Sequence, residues 1–268
     1  MATRLLQVSD LHVGSSDPEI ETVVESLRVL VETVEPALVV ASGDLTHHNR
    51  SREHREAAEI LRSLGPPVLA IPGNHDIPAT PPKRLTHPYA AFVAEWQETE
   101  PVFATSELVV VGLVSVCPWL YQEGVLRSAQ LDRAARRLEE APASALRVAV
   151  THHHLASAPW RSAKRPLMPR SRTVRRLAEA GFDLVLAGHV HQASSVAAGE
   201  FRYEPAARMV LATAPGLGRP RQGRHAEVRG VNVVETDGCT LVVRAYAWSA
   251  PGFVLLVERH YPLARSEE

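Results

Sequence analysis

Five short clusters in this 268-residue chain bring carboxylate, imidazole and amide side chains close together. They are Asp10-Leu11-His12, Gly43-Asp44, Gly73-Asn74-His75-Asp76, His152-His153-His154 and Gly188-His189-Val190-His191. These side chains are the ligands that hard or borderline divalent cations take. A single cluster is weak testimony, because Asp after a strand is commonly a turn or cap residue and Gly, Asn and Asp all favour turns. Five of them in this order point to a two-metal hydrolytic centre acting on phosphate esters.

Each cluster follows an apolar run: Leu5 to Val8, Ala37 to Ala41, Val68 to Ile71, Val148 to Val150 and Leu184 to Ala187. Short continuous runs rich in β-branched residues and bounded by Gly, Pro, Ser or Asp read as strands buried on both faces. Helical patterns separate several of them. From Ile20 to Val34, apolar residues at 20, 23, 24, 27, 30, 31 and 34 form one stripe. Asp17 is its expected N-cap, with Pro18 at the first helical position. Ser51 is expected to cap a second helix reaching Leu64, and Ser128 a third reaching Glu140. A fourth, Arg172 to Ala180, should stop at Gly181 as its C′ residue.

The alternation predicts an α/β protein in which every candidate ligand sits just past the carboxyl end of a strand, the edge where open α/β sheets bind their ligands. Residues distant in sequence would then share one rim. Beyond residue 205 the pattern becomes strand-rich with little helix, at Met209 to Ala212, Gly230 to Val234, Leu241 to Ala247 and Phe253 to Val257. These runs are expected to complete a second sheet packed on the first, with helices outside. The alternation never resets, so residues 1–268 are read as one domain. A small helical insertion is expected around 81–100 and a strand-rich C-terminal part around 205–262. The aromatics Tyr89, Phe92 and Trp96 of the insertion suit apolar packing at helical spacing or stacking on a base.

The order Asp-x-His, Gly-Asp, Gly-Asn-His-Asp, His-His, Gly-His-x-His resembles that of the calcineurin-like metallophosphoesterase superfamily, and most of all its bacterial class III cyclic-nucleotide phosphodiesterases. The resemblance runs from about Leu5 to His191. It implies a four-layer sandwich of two mixed β-sheets flanked by helices. It also implies two divalent transition-metal ions (Mn, Fe, Zn or Co), one held by Asp10, His12, Asp44 and His191, the other by Asp44, Asn74, His152 and His189. Asp44 would bridge them: a carboxylate has two oxygens and a charge that offsets cation repulsion. Asn74 offers a neutral oxygen where an anionic substrate must enter. Two ions roughly 3.5–4 Å apart can lower the pKa of a shared water to about 7 and clamp phosphate oxygens.

The same resemblance leaves His75 outside the ligand set and makes it the expected general acid, with Asp76 orienting it or raising its basicity. The family block at Thr151-His152-His153-His154 commonly has Pro after the histidines. The chain departs from that pattern, so His153 stands as an alternative ligand to His152, the first residue past the strand. His47 and His48 lie close behind Asp44 and read either as substrate contacts or as solvated loop residues.

Composition sets boundaries. The net charge is −1 and 45% of residues are hydrophobic, so no global field recruits nucleic acid. Locally, the acid-free stretch 161–176 carries Arg161, Lys164, Arg165, Arg170, Arg172, Arg175 and Arg176. It reads as an anion-attracting wall or as a solvated loop and helix face. Arg219, Arg221, Arg224 and Arg229 form a weaker cluster. Cys117 and Cys239 lie in apolar, strand-like surroundings and are expected to be reduced, buried thiols. No apolar run approaches a membrane span and the first strand starts almost at once, so no signal peptide, no membrane partner and a cytoplasmic location are expected. The scarcity of Lys against Arg and Ala suggests a bacterial source with a GC-rich genome. The expected substrate is a small phosphodiester, foremost a 3′,5′-cyclic nucleotide. A nuclease, glycerophosphodiesterase or phosphomonoesterase is the alternative, and a non-catalytic scaffold is disfavoured by the complete ligand set.

Overall fold

The computed structural model describes residues 2–156, 164–201, 208–221 and 227–263. Twelve strands among them form two six-stranded mixed sheets. The first sheet begins with β1 (Thr3–Val8), β2 (Leu38–Ala41) and β3 (Val68–Ala70), all parallel. The second contains β4 (Val102–Ala104), β5 (Leu108–Gly112), β6 (Leu146–Val150), β7 (Leu184–Ala187), β8 (Ser194–Ala197) and β9 (Val210–Thr213). Its order is β4-β5-β6-β7-β9-β8, with antiparallel strands only at the edges.

The remaining strands depart from expectation. Only β9 joins the second sheet. β10 (Gly230–Thr236), β11 (Thr240–Ser249) and β12 (Gly252–Pro262) form an antiparallel meander on the first, where β10 pairs with β1 in the register Leu5↔Val234. The open edge of β1 supplied the ladder, and a period-2 pattern alone does not say which sheet a strand extends. Strands β4 and β5 were not foreseen either.

Alternation along each strand builds the layers. Leu5, Leu38 and Val40 of the first sheet meet Val110, Val148, Val150 and Leu186 of the second in a core between the sheets. Their neighbours Leu6, Val8, Val39 and Ala41 face outward onto α1 (Ile20–Val34) and α2 (Ser51–Arg62). On the far side Val109, Val111, Ala149 and Val185 take the apolar stripes of α5 (Ser128–Leu138) and α6 (Arg170–Glu179). Burial of such a side chain contributes about 1.5–3 kcal/mol, so these stripes hold the helices in place. The result is the four-layer helix–sheet–sheet–helix sandwich.

Helix starts differ in detail. Asp17 does not cap α1; its carboxylate pairs with the buried Arg229 and also accepts the Glu19 amide, and the helix begins at Ile20. Ser51 and Ser128 are the first helical residues, not the caps. Gly181, at φ +87°, does follow the C-cap Ala180 of α6. Around residues 81–100 there are two short helices, α3 (Lys83–Thr86) and α4 (Ala90–Trp96). Phe92 is fully buried against His54 and Trp96, and the Tyr89 hydroxyl donates to the Val116 carbonyl. These two aromatics are therefore spent on packing rather than on a base. Cys117 is half-buried and Cys239 exposed, both as free thiols, which corrects the expectation of burial. No described helix is long and apolar enough to cross a membrane.

Candidate metal centre

Strands β1, β2, β3, β6 and β7 all end at one edge, and the loops leaving them carry the five clusters. These loops are tied together before any side chain is considered. The Asp10 amide donates to the Gly43 carbonyl, the His12 amide to Asp44, and the Gly188 amide to His152. Asp10, His12, Asp44, His189 and His191 all adopt left-handed backbone, with φ between 50° and 72°. Such conformations cost non-glycine residues on the order of 1–3 kcal/mol each and persist where the surroundings over-determine them. Glycine serves where a side chain cannot fit. Gly43 (φ +96°) would put a Cβ 2.6 Å from His152 Nδ1, and one on Gly73 would run into Asp44.

Two groups of ligand atoms result. In the first, Asp10 Oδ1 lies 3.0 Å from His191 Nε2 and 4.0 Å from His12 Nε2, and His12 Nε2 lies 3.9 Å from Asp44 Oδ2. In the second, Asn74 Oδ1, His189 Nδ1 and Asp44 Oδ2 stand 3.1, 3.2 and 3.3 Å from His152 Nε2. Ligands at about 2.0–2.1 Å around a tetrahedral cation stand roughly 3.3 Å apart, which is close to the spacing in the second group. Three of the atoms also lack other employment. Asp10 Oδ1, Asp44 Oδ2 and His191 Nε2 are buried and make no hydrogen bond, although basic atoms face one another. Buried lone pairs converging in this way are costly unless a cation satisfies them, so the residues present fit a pair of metal ions.

The other atoms of these side chains are fixed by the protein. Asp10 Oδ2 accepts from Ser9 Oγ at 2.6 Å and from the His189 amide at 2.9 Å. Asp44 Oδ1 accepts the His75 amide at 2.7 Å, and His152 Nδ1 donates to the Ser42 carbonyl at 3.0 Å. That bond puts the proton on Nδ1 and aims Nε2 inward. Electrostatics follow the geometry. Burial opposes ionisation of Asp10, but His191, His152 and His12 outweigh it and hold the carboxyl well below its ordinary value. Burial likewise opposes a charged His152, yet Asp44 lifts its pKa to about 9. A cation bound there would displace that proton.

Within the histidine cluster, His152 stands among the second group of ligand atoms and His153 faces elsewhere. His153 Nδ1 faces the Ser115 hydroxyl at 2.9 Å, with its ring packed against His152 and His189. His75 stays out of both groups: its Nδ1 donates to the His47 carbonyl at 3.1 Å, and its ring meets His12 with centroids 4.7 Å apart. Asp76 does not orient it, contrary to expectation. The buried Asp76 carboxylate accepts from the amides of Leu45, Thr46 and Gly73 and from the Thr46 hydroxyl, at 2.8–3.1 Å. Its work is to brace the Asp44 and Asn74 loops against each other. Burial and nearby Asp44 raise its pKa against the pull of these donors.

A cavity of about 340 Å³ opens beside the centre, lined by His12, His75 and His191, by His47, and by Lys164, Arg219 and Arg221 among others. The cationic stretches thus divide unexpectedly. Arg161 and Arg224 lie outside the described residues. Arg172 and Arg176 bond Ser128 and Asp132 on α5, and Arg165 pairs with Glu123. Among the described residues of that stretch, only Lys164 lines the cavity, its ammonium donating to the His189 carbonyl. The weaker cluster supplies Arg219 and Arg221, with Arg221 held by buried Glu227. No sequence signal marked Glu227, Ser42 or Ser115, because each acts through a contact made only in the fold.

The calcineurin-like phosphoesterase family model matches residues 3–193, which include every candidate ligand. The 3′,5′-cyclic adenosine monophosphate phosphodiesterase of Escherichia coli (strain K12) is 29% identical over 178 residues, 59% of this chain and 58% of that protein. A probable cyclic nucleotide phosphodiesterase of Synechococcus is 30% identical over 154 residues, 52% of this chain and 54% of its own. The alignments thus span little more than half the length of these curated relatives. The solved structure of purple acid phosphatase PPD1 from yellow lupin superposes with a TM-score of 0.72 at 11% identity, over 100% of this chain and 54% of that one. That likeness speaks for the fold alone. The chain belongs to the calcineurin-like phosphoesterase family.

Proposed function

We propose that the chain is a metal-dependent phosphodiesterase. One observation carries the reading: two clusters of ligand atoms meet at Asp44, with Asp10 Oδ1, Asp44 Oδ2 and His191 Nε2 buried and unsatisfied, in a chain of the calcineurin-like phosphoesterase family. Asp10, His12, Asp44 and His191 would hold one ion, and Asp44, Asn74, His152 and His189 the other. When bound, the ions would supply an activated water at neutral pH and charge to offset that on the phosphoryl oxygens. The residues do the rest. His75 lines the cavity and its Nδ1–H is anchored on the His47 carbonyl, which leaves Nε2 as the nitrogen from which a protonated His75 would give its proton to the departing oxygen. Phosphodiesters fit such an acid, because their alkoxide leaving groups need a proton. Asn74 adds an oxygen without adding charge, and among the described residues no carboxylate lines the cavity.

The names of the E. coli and Synechococcus relatives favour a 3′,5′-cyclic nucleotide as substrate. A substrate panel on metal-reconstituted protein tests this. It compares bis-p-nitrophenyl phosphate, p-nitrophenyl phosphate, 3′,5′- and 2′,3′-cyclic nucleotides, glycerophosphodiesters and single-stranded DNA. Turnover of diesters, with 3′,5′-cyclic nucleotides leading, is expected. A marked preference for the monoester would sink the assignment.

A further inference from the structure

Glu227 and Arg221 lie beyond the family match, and the reaction proposed above gives them no part. Glu227 is 7% exposed, a costly place for a carboxylate unless it is paired. It accepts the Arg221 amide at 3.2 Å, Nε at 3.1 Å on both oxygens, and Nη2 at 2.5 Å. The same carboxylate stands 3.8 Å from Nδ1 of His191. The guanidinium is thereby fixed beside the wall that holds the first group of ligands.

A guanidinium is a planar fork with five N–H donors, able to grip oxygen pairs along more than one edge. The edge made by Nε and Nη2 is spent on Glu227. Nη1 makes no hydrogen bond among the described residues, so the edge it shares with Nη2 is unclaimed. Arg221 lines the cavity that His12, His75 and His191 also line, with Lys164 and Arg219 as further cations. A rigid fork offered to a cavity that no described carboxylate lines is built for a tetrahedral oxyanion.

We propose that Arg221, held in place by Glu227, is a phosphate-binding residue of this centre, its outer edge taking two oxygens of the substrate's phosphoryl group. Glu227 is its positioning residue. The proposal rests on the phosphodiesterase reading for the substrate's identity, but the geometry concerns any phosphoryl oxyanion.

Calorimetric titration of inorganic phosphate into metal-loaded protein tests it, with metal content measured on the same samples. Arg221→Gln should weaken phosphate binding roughly ten- to a hundredfold, the scale of lost hydrogen bonds to a charged group, with the metal content unchanged. Because that variant takes the Arg221 guanidinium away from the buried Glu227, the pair Arg221→Gln with Glu227→Gln removes both charges and should show the same loss. Glu227→Gln alone keeps the guanidinium but loosens it, and should weaken phosphate less. Wild-type affinity in the double variant, or loss of phosphate binding only together with loss of metal, would overturn the proposal. So would a wild-type protein that does not bind phosphate. Normal diester turnover with phosphate binding indifferent to Arg221 defeats this inference alone. Arg221-dependent phosphate binding without any diester hydrolysis defeats the phosphodiesterase reading alone.

Discussion

Asp76 adjoins the expected general acid, yet its contacts assign it to the scaffold, and Asp76→Asn separates the two roles. The carboxylate satisfies three backbone amides and one hydroxyl: Oδ1 takes the amide and hydroxyl of Thr46, Oδ2 the amides of Leu45 and Gly73. An amide can replace only one oxygen with a donor. If its nitrogen faces Leu45 and Gly73, two buried N–H groups are stranded. If it faces Thr46, the hydroxyl can turn to accept, and only the Thr46 amide is stranded. The second orientation costs less, about 1–3 kcal/mol for one unsatisfied buried donor. At roughly 2–4 °C per kcal/mol for a chain of this size, the melting temperature should fall by about 2–12 °C. Asp76→Ala strands all three amides and should cost more than Asp76→Asn. Differential scanning fluorimetry measures the shift. Initial rates at saturating metal, well below the melting temperature, measure the chemistry. If Asp76 instead activated His75, kcat would fall toward the roughly hundredfold that a general acid contributes, while Tm stayed put. That outcome would refute the scaffold assignment.

Other expectations follow from the same geometry. His152→Ala should lower metal content by one ion per chain while His153→Ala retains both, and elemental analysis that finds the reverse would reassign the ligand. His75→Ala should slow hydrolysis of alkyl phosphodiesters more than that of bis-p-nitrophenyl phosphate, whose leaving group departs without a proton; equal losses would remove His75 from acid duty. Burial of His54, whose Nε2 meets Asn49 Oδ1 at 2.9 Å, lowers its pKa below the ordinary 6.5 against the pull of Asp76 and Glu53. Its neutral form is therefore favoured by folding. The associated stability is complete above pH 6.5 and is lost as pH falls through the lowered value. His54→Gln should accordingly lose less stability than wild type between pH 7.5 and pH 5 in urea titrations, and parallel losses would count against the burial argument.

The rim of ligands was legible because each cluster follows a buried strand, and parallel strands must end at one edge. The alternation of Leu5 with Leu6 and of Val39 with Val40 likewise announced sheets covered on both faces. Sheet membership was not legible: nothing in Gly230–Thr236 says that it pairs with β1 rather than with an edge of the other sheet. Contacts between distant residues were hidden for the same reason. Asp76 next to His75 suggested an orienting pair, yet the loop turns the carboxylate toward Leu45, Thr46 and Gly73. The Arg-rich stretch suggested an anion wall, but its helical portion packs toward α5, and the cavity draws Arg219 and Arg221 from a loop that composition ranked lower.

Central to the proposed function is Asp44 as the meeting point of two cation sites. Titration of Mn²⁺ into chelator-stripped protein, followed by calorimetry and elemental analysis with bis-p-nitrophenyl phosphate turnover in parallel, tests this directly. Wild type should bind two equivalents and become active as they fill. Asp44→Asn, which keeps the shape and removes the bridging charge, should bind no more than one ion and lose turnover. Two tightly bound ions and full activity in Asp44→Asn, or a wild type that binds fewer than two, would contradict it.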